Sequence, residues 1–117
     1  MVERVLYLFD YQGTLSTLPD PIYFIERLRQ QDAECIIVVM SGGDVPSPLL
    51  AHADDFWQKG ITVSMKLKDT VARESVSKVM LSEDNTLARK AYLRYIRSLC
   101  VVESVLPVDL PTLLTDR

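Results

Sequence analysis

The sequence predicts an α/β layer fold with a mainly parallel sheet. Two continuous apolar runs, Val5 to Phe9 and Cys35 to Met40, read as strands buried on both faces. The segments between and after the apolar runs carry helical spacing, and strand alternating with helix is the pattern of a parallel sheet covered by helices. The 117 residues fit one domain, 1–117, with 104–117 expected as an extended or turn-rich tail.

The first run ends at Asp10, and Gly13 and Thr14 supply a turn after it. Pro19 and Pro21 bracket Asp20, which suits a helix cap because a first turn accepts proline. Ile22, Ile25 and Leu28 then recur at helical spacing, so a helix is predicted to about Gln31. The second strand runs into Ser41-Gly42-Gly43-Asp44, again a small-residue turn. Pro46 and Pro48 block an immediate long helix. A short one is predicted over 49–58, with Leu49, Leu50, Ala53 and Trp57 inward.

Ile61 to Met65 has the β-branched character of a strand, followed by Lys66-Leu67-Lys68. Asp69 or Thr70 is then expected to cap a short helix through Val76. Lys78 to Ser82 reads as a further strand, stopping at Glu83-Asp84-Asn85. Thr86 to Leu99 is the clearest amphipathic helix, with Ala88, Ala91, Tyr95 and Leu99 on one side and Lys90, Arg94 and Arg97 on another. Val101 and Val102 begin a short edge strand, and Pro107 and Pro111 mark the turn-rich tail.

The net charge of −3 gives no general attraction to nucleic acid or anionic membrane, although it hides an asymmetry. Residues 1–58 carry nine acids against three Lys or Arg, whereas 59–117 carry seven acids against ten. Acidic groups from the first half are thus able to face basic, substrate-holding groups from the second. Tyr92 and Tyr95 among the bases of the last helix fit ordinary helix packing better than nucleic-acid contact. Cys35 and Cys100 sit beside apolar runs as small hydrophobes, and no spacing pairs them. With His52 as the only histidine, and neither a CxxC nor a Cys/His cluster, a zinc centre and a histidine-based triad are disfavoured. No apolar segment is long enough to span a bilayer, so a soluble cytoplasmic protein is the default expectation. Gly42-Gly43 lacks the Gly-Lys-Ser/Thr of a P-loop, and no GxGxxG follows the first strand.

Ligands of open parallel sheets bind beyond the carboxyl ends of the strands. Those ends carry Asp10, Ser41 and the Glu83-Asp84 pair, with Lys66 or Lys68 in the following segment. Carboxylates from two strand ends suit Mg²⁺, which takes oxygen ligands and keeps waters that a phosphate can replace. A carboxylate nucleophile forming an aspartyl-phosphate is established chemistry, and the ion would neutralise a phosphoryl group attacked by Asp10. Ser41 and the backbone N–H groups of the glycine turn at Gly42 suit a phosphoryl oxygen, and a lysine supplies a point charge beside it.

Phe9-Asp10-Tyr11-Gln12-Gly13-Thr14-Leu15 resembles the first motif of the haloacid dehalogenase-like hydrolases, hydrophobic-Asp-x-Asp-Gly-Thr-Leu. Val38-Val39-Met40-Ser41-Gly42 is similar to their second motif, and Met80-Leu81-Ser82-Glu83-Asp84-Asn85, with Ala88 and Ala91 following, to their fourth. The resemblance spans about residues 5 to 97, in the right order. It implies a three-layer Rossmann-like domain and Mg²⁺-dependent phosphoryl transfer, with Asp10 as nucleophile and metal ligand. Gln12 would lend its backbone carbonyl to the metal, Ser41 would bind phosphate, and Asp84, with Glu83 as competitor, would complete the metal site. The third-motif lysine falls among Lys66, Lys68 and Lys78, with Lys66 favoured for its place just past an expected strand.

Two departures stand out. Gln12 occupies the position of a second aspartate that shuttles protons, which an amide does not do near neutral pH. Residues 11–34 leave no room for a substantial cap domain. An open site suits a phosphorylated macromolecule, or a protein partner or second copy that excludes water. The reading is an uncapped phosphohydrolase of weak or specialised activity, against an inactive interaction or phosphate-binding regulatory protein on the same fold.

Overall fold

The structure, a computed structural model, describes residues 4–114. Five strands, β1 (Arg4–Asp10), β2 (Ile36–Ser41), β3 (Asp55–Gln58), β4 (Val76–Ser82) and β5 (Val101–Ser104), form one sheet in the order β3-β2-β1-β4-β5. Every pairing is parallel. The helices α1 (Pro21–Gln31), α2 (Ser47–Leu50), α3 (Ile61–Arg73) and α4 (Thr86–Arg97) supply the connections, with 3₁₀ turns at Leu15–Thr17 and Pro107–Leu113. The result is a Rossmann-like α/β domain, and no cap domain interrupts the chain between β1 and β2.

Strand alternation divides the core between the two faces of the sheet. Leu6 and Leu8 of β1, Ile36 and Val38 of β2, and Val79 and Leu81 of β4 pack with Val63 and Leu67 of α3 and Ile96 of α4. The intervening Phe9, Ile37 and Val39 face Phe24, Ile25 and Leu28 of α1, Leu49 of α2 and Leu110 of the C-terminal turn. Helix α1 starts as its sequence requires, with Pro21 in the first turn and Asp20 Oδ1 accepting from the Tyr23 N–H at 3.0 Å. Asn85 caps α4 in the same way, accepting from the Ala88 N–H at 2.9 Å.

The segment between β2 and β4 departs from the sequence expectation. The predicted helix over 49–58 is only the short α2, and its end is strand β3, where Trp57 is buried between exposed Asp55 and Gln58. The predicted strand at Ile61 to Met65 is the start of α3, so Asp69 and Thr70 lie inside that helix instead of capping another. Local β-branched character suggested a strand, but Val63, Leu67 and Val71 repeat every four residues and pack on the core as one helical face. Helix α4 presents Ile96, with Tyr92, Leu93 and Tyr95 beside it, while Ala91 is exposed; the larger apolar side chains reach the sheet. The C-terminal segment is turn-rich, as expected, and Leu110 docks it to the core; residues 115–117 of the expected tail lie outside the described residues. Both cysteines are free. Among the described residues no helix is long and apolar enough to cross a membrane.

Candidate metal and phosphate site

Strand order sets the position of the site. The chain moves outward from β1 to β2 and β3, then returns to lay β4 on the other side of β1, so the connections diverge between β1 and β4. A crevice opens at such a switch point beyond the carboxyl ends of the strands. Asp10 is the last residue of β1, and Glu83 and Asp84 directly follow β4. One carboxylate oxygen from each of the three lies within 4.8 Å of the others.

The turn after Asp10 is built for this proximity. The Tyr11 N–H donates to the Met40 carbonyl at 3.0 Å, and the Tyr11 carbonyl accepts from Thr14 and Ser16 at 3.2 and 2.9 Å, closing a tight loop. Gly13 takes φ +75°, and a β-carbon there would overlap Asp84 Oδ2. Glycine thus supplies both the left-handed backbone and the space in which the Asp84 carboxylate sits. The buried Thr14 hydroxyl donates to Asp10 Oδ2 at 3.4 Å. On the other side, Arg89 Nη1 donates to the Glu83 carbonyl at 3.0 Å and ties the acidic turn to α4.

The cation of the site is Lys59, one residue past β3. Its N–H donates to the Ser41 carbonyl at 3.0 Å, and its ammonium lies 2.9 Å from Asp10 Oδ1 and also pairs with Glu83 Oε1. Asp10 is 1% exposed and Glu83 fully buried. Among the described residues the Lys59 ammonium is the cation that pairs with Glu83. Burial, then the adjoining Glu83 and Asp84 carboxylates, push Asp10 up to about 8 against the opposing pull of Lys59. Asp84 is exposed and held below the ordinary range, first by its hydrogen bond with Asp10. Burial acts against the Lys59 ammonium, but its bonds to Glu83 and Asp10 outweigh that and raise its pKa.

An all-oxygen cluster with two buried carboxylates and one exposed can coordinate a divalent cation, and its oxygen donors favour a hard ion. A dication would also supply the charge that three carboxylates lack when, among the described residues, Lys59 is the cation paired with them.

Asp10, Glu83 and Asp84 converge as the sequence suggested, and Ser41 is buried at the end of the adjacent β2. Its hydroxyl oxygen accepts from the Gly43 N–H at 3.1 Å. Gly42 is exposed with open space over its α-carbon, and Gln12 is exposed in the turn after Asp10. The lysine expectation does not match. Lys66 and Lys68 are exposed on α3, and Lys78 pairs with Glu103 on β5 at 2.7 Å. Reading 61–65 as a strand moved the expected cation one helix too far along the chain. Phe56-Trp57-Gln58-Lys59-Gly60 runs from an apolar pair into glycine, a stretch too short to mark Lys59 as a strand-end residue or to say what it meets.

No protein-family model matches the chain, and no curated protein matches it. A solved structure, that of MT0777, is similar over 95% of this chain and 93% of its own at a TM-score of 0.53 and 8% identity. That likeness is one of fold along the whole chain.

Proposed function

We propose that this chain is a minimal, uncapped haloacid dehalogenase-like protein that binds Mg²⁺ and phosphate and transfers a phosphoryl group to Asp10. The observation that carries the reading is the convergence of Asp10, Glu83 and Asp84 around the Lys59 ammonium at the switch point of the sheet. Asp10, Asp84 and Glu83, with the Gln12 backbone carbonyl, would hold the ion. When bound, Mg²⁺ supplies charge that neutralises a phosphoryl group under attack. Asp10 is the nucleophile, its oxygen directed by Thr14 and Lys59. Ser41 and the Gly42 N–H hold phosphoryl oxygens, and Lys59 takes the part expected of Lys66 or Lys68. The absence of a cap leaves the site open to a phosphorylated macromolecule, or to a protein partner or second copy that closes it. A cytoplasmic location and a partner other than nucleic acid belong to the same reading.

The test is Mg²⁺ binding by calorimetry together with phosphate release from phosphorylated substrates, for the natural chain and Asp10→Asn. Mg²⁺ binding that Asp10→Asn weakens, with any turnover lost in that variant, supports the reading. The amide of Gln12, which does not shuttle protons near neutral pH, also favours a second one, a phosphate-binding regulatory module, which predicts binding without release. Absence of Mg²⁺ binding defeats both.

A further inference from the structure

We infer that the outward face of α4 is a docking surface for an acidic segment of a protein partner. On the phosphoryl-transfer reading above, on which the partner's identity rests, that segment belongs to the phosphorylated substrate, and its carboxylates bind away from the group that reacts.

Helix α4 holds four cations, Arg89, Lys90, Arg94 and Arg97, and no acid, in a chain whose net charge is −3. Arg89 is engaged by the Glu83 carbonyl. Lys90, Arg94 and Arg97 are exposed, and among the described residues none of them pairs with a carboxylate. Elsewhere in the chain Arg4, Arg29, Arg73 and Lys78 each find one. The arrangement works against the helix itself. Lys90 and Arg94 stand four residues apart, where like charges are destabilising, whereas Arg73 meets Asp69 at that spacing on α3. The helix dipole favours Arg94 and Arg97 in the last turn, but Lys90 lies ahead of it. Carboxylates of a partner laid along the row would reverse what folding leaves unfavourable.

The row is joined to the site at one end. Asn85 caps α4 directly after Asp84, and the Arg89 bond fastens the start of the helix to the Glu83 backbone. From that end Leu87, 80% exposed, then Lys90, Arg94 and Arg97 follow at spacings of three and four residues on one face. Lys90, Leu93, Arg94 and Arg97 line a surface groove of about 570 Å³. The three cations spread over about 10 Å of helix, the reach of about three extended residues. A segment leading away from a phosphoryl group at Asp10 therefore meets an apolar side chain first and positive charge beyond it. Protein suits the row better than nucleic acid. Tyr92 and Tyr95, the rings of α4, pack on the core, so the row offers no aromatic face to a base. The guanidinium groups of Arg94 and Arg97 match carboxylates through paired hydrogen bonds.

The experiment follows the fluorescence anisotropy of labelled peptides titrated with the full chain in Mg²⁺: phosphoserine flanked by glutamates, phosphoserine flanked by glutamines, and serine flanked by glutamates. Oligothymidylate and phosphatidylserine vesicles serve as the nucleic-acid and membrane probes. The phosphoserine peptide with glutamates is expected to bind about 10-fold tighter than its glutamine counterpart. That difference should shrink as salt rises from about 50 to about 300 mM. Lys90→Glu sets an acid four residues before Arg94, so the variant should melt no lower than the natural chain. It should nevertheless bind the glutamate peptide about 10-fold more weakly, with its Mg²⁺ affinity unchanged. Equal binding of glutamate and glutamine peptides, or a Lys90→Glu and Arg97→Glu double variant that binds as the natural chain does, would overturn the docking face; Mg²⁺ binding left intact would keep the transfer reading. Tighter capture of oligothymidylate or of vesicles than of the glutamate peptide would overturn the partner class. Charge-dependent binding that ignores the phosphoryl group, in a chain that binds no Mg²⁺, would remove the transfer reading and leave the docking face standing.

Discussion

Replacing Lys59 by methionine removes the charge between Asp10 and Glu83 while keeping most of the side chain's length and apolar contact. Breaking a buried ion pair by deleting one partner costs about 3–5 kcal/mol, because the other charge is left uncompensated. Two features reduce that figure. A quarter of the Lys59 side chain remains exposed, and Asp10, pushed up to about 8, can hold a proton that lowers the charge of the cluster. The expected loss is therefore about 2–3 kcal/mol at pH 8.5, near 10 °C in melting temperature for a domain of this size, and less than about 1 kcal/mol at pH 6. The sign follows from proton binding. Asp10 has its folded pKa raised, so its contribution is complete below the ordinary carboxylate range near 4 and is lost as pH rises through about 8. Without Lys59 the folded state holds its protons to higher pH still, and the gap between variant and natural chain widens with pH. Urea denaturation followed by the fluorescence of buried Trp57, the single tryptophan, reads it directly. A variant as stable as the natural chain at pH 8.5, or a gap that narrows with pH, would refute the placement of Lys59 between two buried carboxylates.

Mg²⁺ competes with the proton on Asp10, so the stabilisation it confers should grow from pH 6 to 8.5, reaching about 2.7 kcal/mol at a hundred times its Kd. A flat or falling profile in thermal melts would take Asp10 out of the ligand set. Gly13→Ala forces a side chain into left-handed backbone, at about 1–2 kcal/mol, and pushes a β-carbon against Asp84 Oδ2. Displacing Asp84 should weaken Mg²⁺ binding about 10- to 100-fold in calorimetry, whereas unchanged affinity would show that Asp84 is not a ligand. Lys66→Ala and Lys68→Ala, on the exposed side of α3, should alter stability by less than about 0.5 kcal/mol and leave Mg²⁺ and phosphate binding unchanged. Loss of phosphate binding in either would return the cation's part to α3.

Much of the fold was legible because burial writes local patterns. The central strands are buried on both faces, so β1 and β2 appear as unbroken apolar runs, and Asp20 caps its helix through a side-chain bond a few residues long. The strand-end carboxylates were readable for the same reason, since a polar residue that closes an apolar run in a parallel sheet falls on the carboxyl edge. Strand β3 was not. Four residues at the sheet's edge, with only Trp57 buried, give no run and no clear alternation, whereas Ile61 to Met65 imitates a strand locally and is helical because its face packs on the core four residues apart.

By itself, then, the sequence determined an α/β domain with Asp10, Ser41 and the Glu83-Asp84 pair at its strand ends, since each is specified by neighbours within one element. Only the tertiary structure decided which cation meets them. Lys59 reaches Asp10 from two strands away, and Glu83 from the strand on the opposite side. That meeting depends on strand order, on a backbone bond to Ser41 and on the charge of a buried cluster, none of which is encoded in the residues adjoining Lys59.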